Sequence, residues 1–181
     1  MIAGKNVRLW PLERHDLIKN YQWANNRELV RLAGMQPLPK SAGEIERWYE
    51  TTIGAADMRI FSIKTPDGDY LGNIELRDLD QRCGRAEIGI VIGEADYQNK
   101  GYGSDALMTL CRFAFRELRM HRLYARVLET NARAQRTFKK VGFKEEGVER
   151  QAHYSRGRHW DILMLGMLRG DLKEDDNLEA D

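Results

Sequence analysis

The sequence predicts a single-domain α/β protein, with one mixed, mostly antiparallel sheet of about seven strands carrying helices on both faces. Three observations lead there. A chain of 181 residues suits one domain and can bury a core without disulfides or metals. Apolar residues alternate with period two in some segments and recur at helical spacing in others, in the order β-α-α-β-β-β-α-β-α-β-β. Finally, Ala86 to Gly93 is a near-continuous apolar run, as expected of a buried central strand.

The elements follow in order. Val7 to Leu12 alternates and is stopped near Pro11, so it reads as a short first strand. From Asp16 to about Arg31, Leu17, Tyr21, Ala24 and Leu29 fall at helical spacing, with a break at Asn25-Asn26. Met35 to Lys40, holding Pro37 and Pro39, is a loop. Ser41 with Glu44 three residues on forms a capping box for a helix running towards Thr52. Arg59–Lys64 and Tyr70–Arg77 alternate around Pro66-Asp67-Gly68-Asp69, a turn that favours a hairpin. Beyond the apolar strand, helices are expected from about Gly103 to Leu118 and from Ala132 to Val141, with a strand at Leu123–Leu128 between them. Two closing strands span Lys144 to Leu168 and turn at Ser155–Arg158. Residues 1–170 form the domain, and the acidic segment 171–181 is expected to fray as a tail.

Composition excludes several function classes. A formal net charge of +1 gives no general attraction to nucleic acid or membrane. Cys83 and Cys111 lie far apart without CxxC spacing, and the four histidines are scattered, so no metal site is expected. No apolar run reaches about 18 residues, and the start lacks a signal-peptide pattern, which points to a cytoplasmic protein. The oligomeric state is not legible; a homodimer is the default assembly.

Between the apolar strand and the next helix lies Gln98-Asn99-Lys100-Gly101-Tyr102-Gly103-Ser104. Gly101 and Gly103 permit a tight turn and close approach of a ligand to the backbone. The first N–H groups of the following helix lack intrahelical partners, and with the helix dipole they suit a pyrophosphate. Lys100 adds a point charge. The loop is neither a Walker A sequence nor a Rossmann fingerprint.

At these residues the chain resembles the GNAT N-acetyltransferases, whose coenzyme A signature Q/R-x-x-G-x-G/A is filled by Gln98, Gly101 and Gly103. Downstream, Asn131 to Phe143 resembles the family's N-x-x-A/S-x-x-x-Y-x-K-x-G-F segment, and Val7–Glu13 is similar to its first strand. The branch resembled holds ribosomal-protein N-terminal acetyltransferases and spermidine acetyltransferases. The resemblance implies a GNAT fold over about residues 5–168. It implies acetyl-CoA as co-substrate, with no metal, and a primary amine as acceptor: a protein or peptide N-terminus, a polyamine or another small amine. Transfer would be direct, in a ternary complex. It also implies that the apolar strand ends in a bulge and splays from Leu123–Leu128, so that pantetheine bonds backbone groups at Ile90, Val91 and Ile92. Asn99, Tyr102 and Ser104 complete the cofactor set with Asn131 and Phe138.

Glu87 is the candidate general base. It shares a strand face with Gly89 and Val91, where a carboxylate calls for explanation; the alternative is a structural carboxylate held by a loop N–H, Arg85 or Arg126. Where the family commonly has a tyrosine to protonate the leaving thiolate, this sequence has Phe138. Tyr154, Cys83, Ser104 or a water could take that part, or none is needed, since a thiol such as cysteine's has a pKa of about 8.5. Asn131 reads both as a pantetheine contact and as a helix N-cap. The substitution of Phe138 also admits a non-catalytic acyl-CoA-binding module.

Overall fold

The structure, a computed structural model, describes residues 1–172. Eight strands form one sheet in the order β1-β2-β3-β4-β5-β6-β8-β7. They are β1 (Ile2–Ala3), β2 (Arg8–Pro11), β3 (Arg59–Lys64), β4 (Tyr70–Asp80), β5 (Arg85–Ile92), β6 (Arg122–Leu128), β7 (Lys144–Ser155) and β8 (Arg158–Leu168). Five α-helices accompany them: α1 (Leu17–Ala24), α2 (Arg27–Leu32), α3 (Ala42–Gly54), α4 (Tyr102–Arg116) and α5 (Ala132–Val141). Every strand pair is antiparallel except β5–β6.

Local chemistry sets the element ends. Asn25 is the C-cap of α1, and Asn26 next to it caps α2 by accepting from the N–H groups of Glu28 and Leu29. Ser41 and Glu44 close the expected capping box. The β7–β8 turn places Arg156 at φ 53 and Gly157 at φ 79, the positive pair that matches strand twist in a two-residue hairpin loop.

Alternation along the strands divides the core in two. On one face Val7, Leu9, Ile63, Ile74, Leu76 and Ile88 pack against α4 and α5 through Leu107, Leu110, Phe115 and Phe138. On the other, Ile60 and Tyr70 pack with Leu17, Trp23, Leu29, Ile45 and Tyr49 of α1–α3. Val91 touches this second cluster, which puts Glu87, Gly89 and Val91 towards α1–α3.

Two expectations change. The count is eight strands because β1, a two-residue element with no periodicity to detect, pairs with β2. The turn between them is held by Asp105 of α4, whose carboxylate accepts from the N–H groups of Lys5, Asn6 and Val7. The bulge expected at the end of β5 lies just past its last residue: pairing with β4 is unbroken from Arg77–Glu87 to Gly72–Ile92. There the N–H groups of Gly93 and Glu94 both donate to Leu71 O, two residues set against one. The tail expected at 171–181 lies outside the described residues from 173 on, while Asp171 and Leu172 belong to the fold, Asp171 accepting from Leu168 N–H.

Candidate active site

A parting of β5 from β6 creates the site. The two strands pair only at Arg85–Arg122, Ala86–Leu123 and Glu87–Tyr124. Beyond that point Ile88–Ile92 pair with β4 alone and Ala125–Leu128 with β8 alone. Backbone N–H and C=O groups along the facing edges therefore lack a strand partner, which a buried edge tolerates only if something else supplies one. A cleft of about 620 Å³ occupies the gap. Ile88 to Ile92 form one wall, Arg126 to Leu128 another, and Leu29 and Leu32 of α2 approach from the first helical layer.

One end of the cleft is the loop singled out in the sequence. Gln98, Asn99, Gly101, Gly103 and Ser104 line it, whereas Lys100 and Tyr102 do not. Tyr102 instead packs edge-on against Tyr97. Asn99 at φ 59 and Gly101 at φ 92 are both left-handed, and this curls the backbone into a concave cradle. The first bond of α4 runs from Asp105 N–H to Gly101 O at 3.0 Å, leaving the N–H groups of Tyr102, Gly103 and Ser104 without intrahelical acceptors. Nothing lies within 4 Å of where a Cβ on Gly101 would stand, so the cradle has room for a phosphate group. Gln98 ties the cradle together: its Nε2 donates to Ile92 O at 2.9 Å and its Oε1 accepts from Arg133. Arg133, in the first turn of α5, lines the cleft here and adds a cation that sequence reading passed over.

Along the opposite wall, Asn131 caps α5 by accepting from Ala134 N–H at 3.1 Å and donates to Leu32 O at 2.9 Å. It thereby pins the end of α2 beside the cleft. Phe138 lies in the wall, nearly buried, with its ring edge-on to Phe143 at 5.0 Å.

The face of the cleft towards α1–α3 carries the charge. Glu87 is buried, and its Oε1 accepts from Arg77 Nη2 at 3.0 Å. The sequence offered Arg85 or Arg126 as its partner, but Arg85 pairs with Asp80 and Arg126 with Glu149. Arg77 sits opposite Glu87 in the β4–β5 register, a pairing visible only once the strands are aligned. Glu75, two residues earlier on the same face of β4, also lines the cleft. Burial pushes its carboxyl up, Arg77 pulls it down and the charge of Glu87 raises it again, with a net upward shift. The signal for it was present as the polar alternation Asn73, Glu75, Arg77.

Other candidates lie elsewhere. Tyr154 is 63% exposed beside His159 near the β7–β8 turn and does not line the cleft. Cys83 is exposed in the β4–β5 loop, and Cys111 is buried in α4 with its thiol pushed up by burial. Of the hydroxyl and thiol groups named from the sequence, Ser104 lines the cleft. Among the described residues no three His, Cys, Asp or Glu side chains gather as a metal site, and no helix is long and apolar enough to cross a membrane.

A mixed sheet parted beside a helix-capped anion cradle defines an acyl-CoA-dependent acyltransferase fold. Residues 6–144 match the family model of the GNAT acetyltransferase domain, and this chain belongs to that family. It is similar to spermidine N(1)-acetyltransferase of Escherichia coli, at 30% identity over 91% of this chain and 87% of that one. A ribosomal-N-acetyltransferase-like protein of Bacillus subtilis is 33% identical over 57% of this chain and 56% of its own. The structure of spermidine N-acetyltransferase from Vibrio cholerae in complex with CoA and spermine superposes with a TM-score of 0.86. It shares 26% identity over 93% of this chain and 98% of that chain. The protein is an N-acetyltransferase with acetyl-CoA as its acetyl donor.

Proposed function

We propose that the chain transfers the acetyl group of acetyl-CoA directly to a primary amine held on the Glu75–Glu87 face of the cleft. The observation that carries this reading is the unpaired edge of Ile88–Ile92 running into the cradle at 98–104. An extended pantetheine can take that edge as an added strand, bonding backbone groups at Ile90, Val91 and Ile92. The free N–H groups of Tyr102, Gly103 and Ser104 then face the pyrophosphate, and Arg133 adds charge at the same end.

Direct transfer is supported by the placement of the thiols. Cys83 and Cys111 both stand away from the cleft, so neither is positioned to carry an acetyl-enzyme intermediate. Holding both reactants in line can supply about 7–11 kcal/mol of the barrier. Glu87, fixed by Arg77, offers an anionic surface to the acceptor ammonium. The thiolate can leave unaided, or take a proton through Ser104 or water.

The acceptor is a primary amine. Two carboxylates offset by Arg77 and Arg126 suit one ammonium better than the several of a polyamine, but spermidine is the first compound to assay because relatives act on it. Thermal melting with and without acetyl-CoA, followed by thiol release against spermidine, small amines and N-terminal peptides, tests the reading. A ligand at a hundredfold excess over its Kd stabilises by about 2.7 kcal/mol. A raised melt with amine-dependent thiol release is expected. An unchanged melt at saturating acetyl-CoA would remove the cleft from the mechanism.

A further inference from the structure

The acceptor face presents two carboxylates, and they are not equivalent. Glu87 is on β5, the strand that borders the cleft, yet its side chain is only 11% exposed and already accepts the hydrogen bond from Arg77. Glu75 is one strand further from the cleft, on β4, and still lines it with a side chain 21% exposed. It does so because its opposite number in the β4–β5 register is Gly89. A Cβ on residue 89 would stand 3.0 Å from Glu75 Oε1 and 3.2 Å from Arg77 Nη2. The missing side chain is thus the window through which Glu75 reaches across β5. Glu75 accepts no hydrogen bond from any described residue, and its nearest cation, Arg77 Nη1, is 3.4 Å away. With no hydrogen bond fixing it and part of its side chain open to the cleft, this carboxylate is free to accept from a bound ligand.

We propose that Glu75, reaching over Gly89, is the carboxylate that takes the proton from the acceptor ammonium, while Glu87, fixed by Arg77, holds that ammonium in place. The inference rests on the amine-acetylation reading. In the first step R–NH₃⁺ gives a proton to the Glu75 carboxylate, leaving R–NH₂ and a neutral carboxylic acid. The amine lone pair forms the C–N bond at the thioester carbonyl, the C–S bond breaks, and its electron pair leaves on sulfur. The second nitrogen proton passes to the thiolate through water, and Glu75 releases its own proton to solvent.

Other titratable or charged groups around this position are Arg77 on β4, Glu87 on β5, Tyr124 and Arg126 on β6 and His153 on β7. From β3, Ile60 stands opposite Glu75, and α2 presents Leu29 and Leu32 to the cleft. Burial, the largest influence on Glu75, raises its affinity for a proton, which matches a carboxylate to its task as a base.

Three variants of the full chain test this: Glu75→Gln, Glu87→Gln and Gly89→Ala. Thiol release with acetyl-CoA and the best acceptor of the panel is measured from acid to mildly alkaline pH. Glu75→Gln should lower kcat/KM roughly a hundredfold, the lower end for general-base catalysis, and remove the acid limb of the profile. Glu87→Gln should raise KM for the amine and keep that limb. Gly89→Ala should resemble Glu75→Gln if it folds. A Glu75→Gln enzyme that keeps its acid limb and stays within about threefold of wild type overturns the proposal, whereas a wild type that transfers to no amine counts against the amine-acetylation reading itself. Carboxyl-carbon NMR titration needs no acceptor: the resonance lost in Glu75→Gln should titrate above the ordinary glutamate range in the wild type. Titration within that range also overturns the proposal.

Discussion

Asp105 Oδ2 accepts from the N–H groups of Asn6 at 2.6 Å and Val7 at 3.0 Å, tying the first turn of α4 to the β1–β2 turn. The residue that follows the cradle is therefore clamped to the far edge of the sheet. This carboxylate sits at a helix N-terminus, where the dipole favours it, and answers donors that would otherwise lack acceptors. Asp105→Ala should lower stability by roughly 1–3 kcal/mol, seen as a lower Tm. It should also weaken acetyl-CoA binding, since the N–H groups of Gly103 and Ser104 lose their fixed direction. Unchanged Tm would mean that the β1–β2 turn is held by its own contacts.

Gly101 caps α4 at φ 92, a conformation that costs a β-branched residue dearly. Gly101→Val should reduce acetyl-CoA affinity at least roughly tenfold, as expected for strain of about 1–3 kcal/mol combined with a methyl-lined cradle. Isothermal titration with acetyl-CoA reads the effect directly. Wild-type affinity would place the pyrophosphate elsewhere.

Acid should act on the fold through Asp16. Burial pushes this carboxyl up, but the Ser62 hydroxyl, Lys64 and the Glu13 N–H outweigh it and hold it below the usual range. A lowered folded value means that its stabilisation is present above the unfolded pKa of about 3.9 and is lost as pH falls through the folded value. The Asp16–Lys64 pair, at 2.9 Å and largely buried, is removed in Asp16→Asn, which leaves Lys64 uncompensated. The variant should lose roughly 3 kcal/mol or more at neutral pH, with a flatter dependence of Tm on pH at the acid end. Equal slopes for the two proteins would assign acid unfolding to other carboxylates.

Phe138 stands where the family commonly has a tyrosine, and it is nearly buried against Phe143. Since thiols ionise at about 8.5, departure of the thiolate needs little help. Phe138→Tyr should therefore leave turnover and acetyl-CoA affinity within about threefold of wild type. A rise of tenfold or more would show that proton delivery limits this enzyme.

Much of the fold was legible along the chain because short-range physics writes it there. The Ser41–Glu44 box, the Asn25–Asn26 break, the Ser155–Arg158 turn and the span Ala132–Val141 are each determined by residues within about one helical turn or hairpin of one another. The Gln98–Ser104 loop was readable for the same reason: glycine spacing before a helix is a local property. The two-residue β1 escaped, as nothing in Ile2–Ala3 marks a strand until Asp105 supplies acceptors from 98–100 residues away.

What the sequence determined by itself, then, was the family, the element order and the cradle, all products of local propensity and contiguous motif. Tertiary structure alone decided which residues face the cleft together. Arg77 rather than Arg85 or Arg126 pairs with Glu87, Arg133 joins Gln98, and Tyr154 stands outside the cleft while Glu75 enters it over Gly89. Each of those relations depends on strand register or on helices meeting across the sheet. A shift of one residue in register would turn Glu75 and Glu87 away from the cleft they line, and no spacing along the chain encodes that alignment.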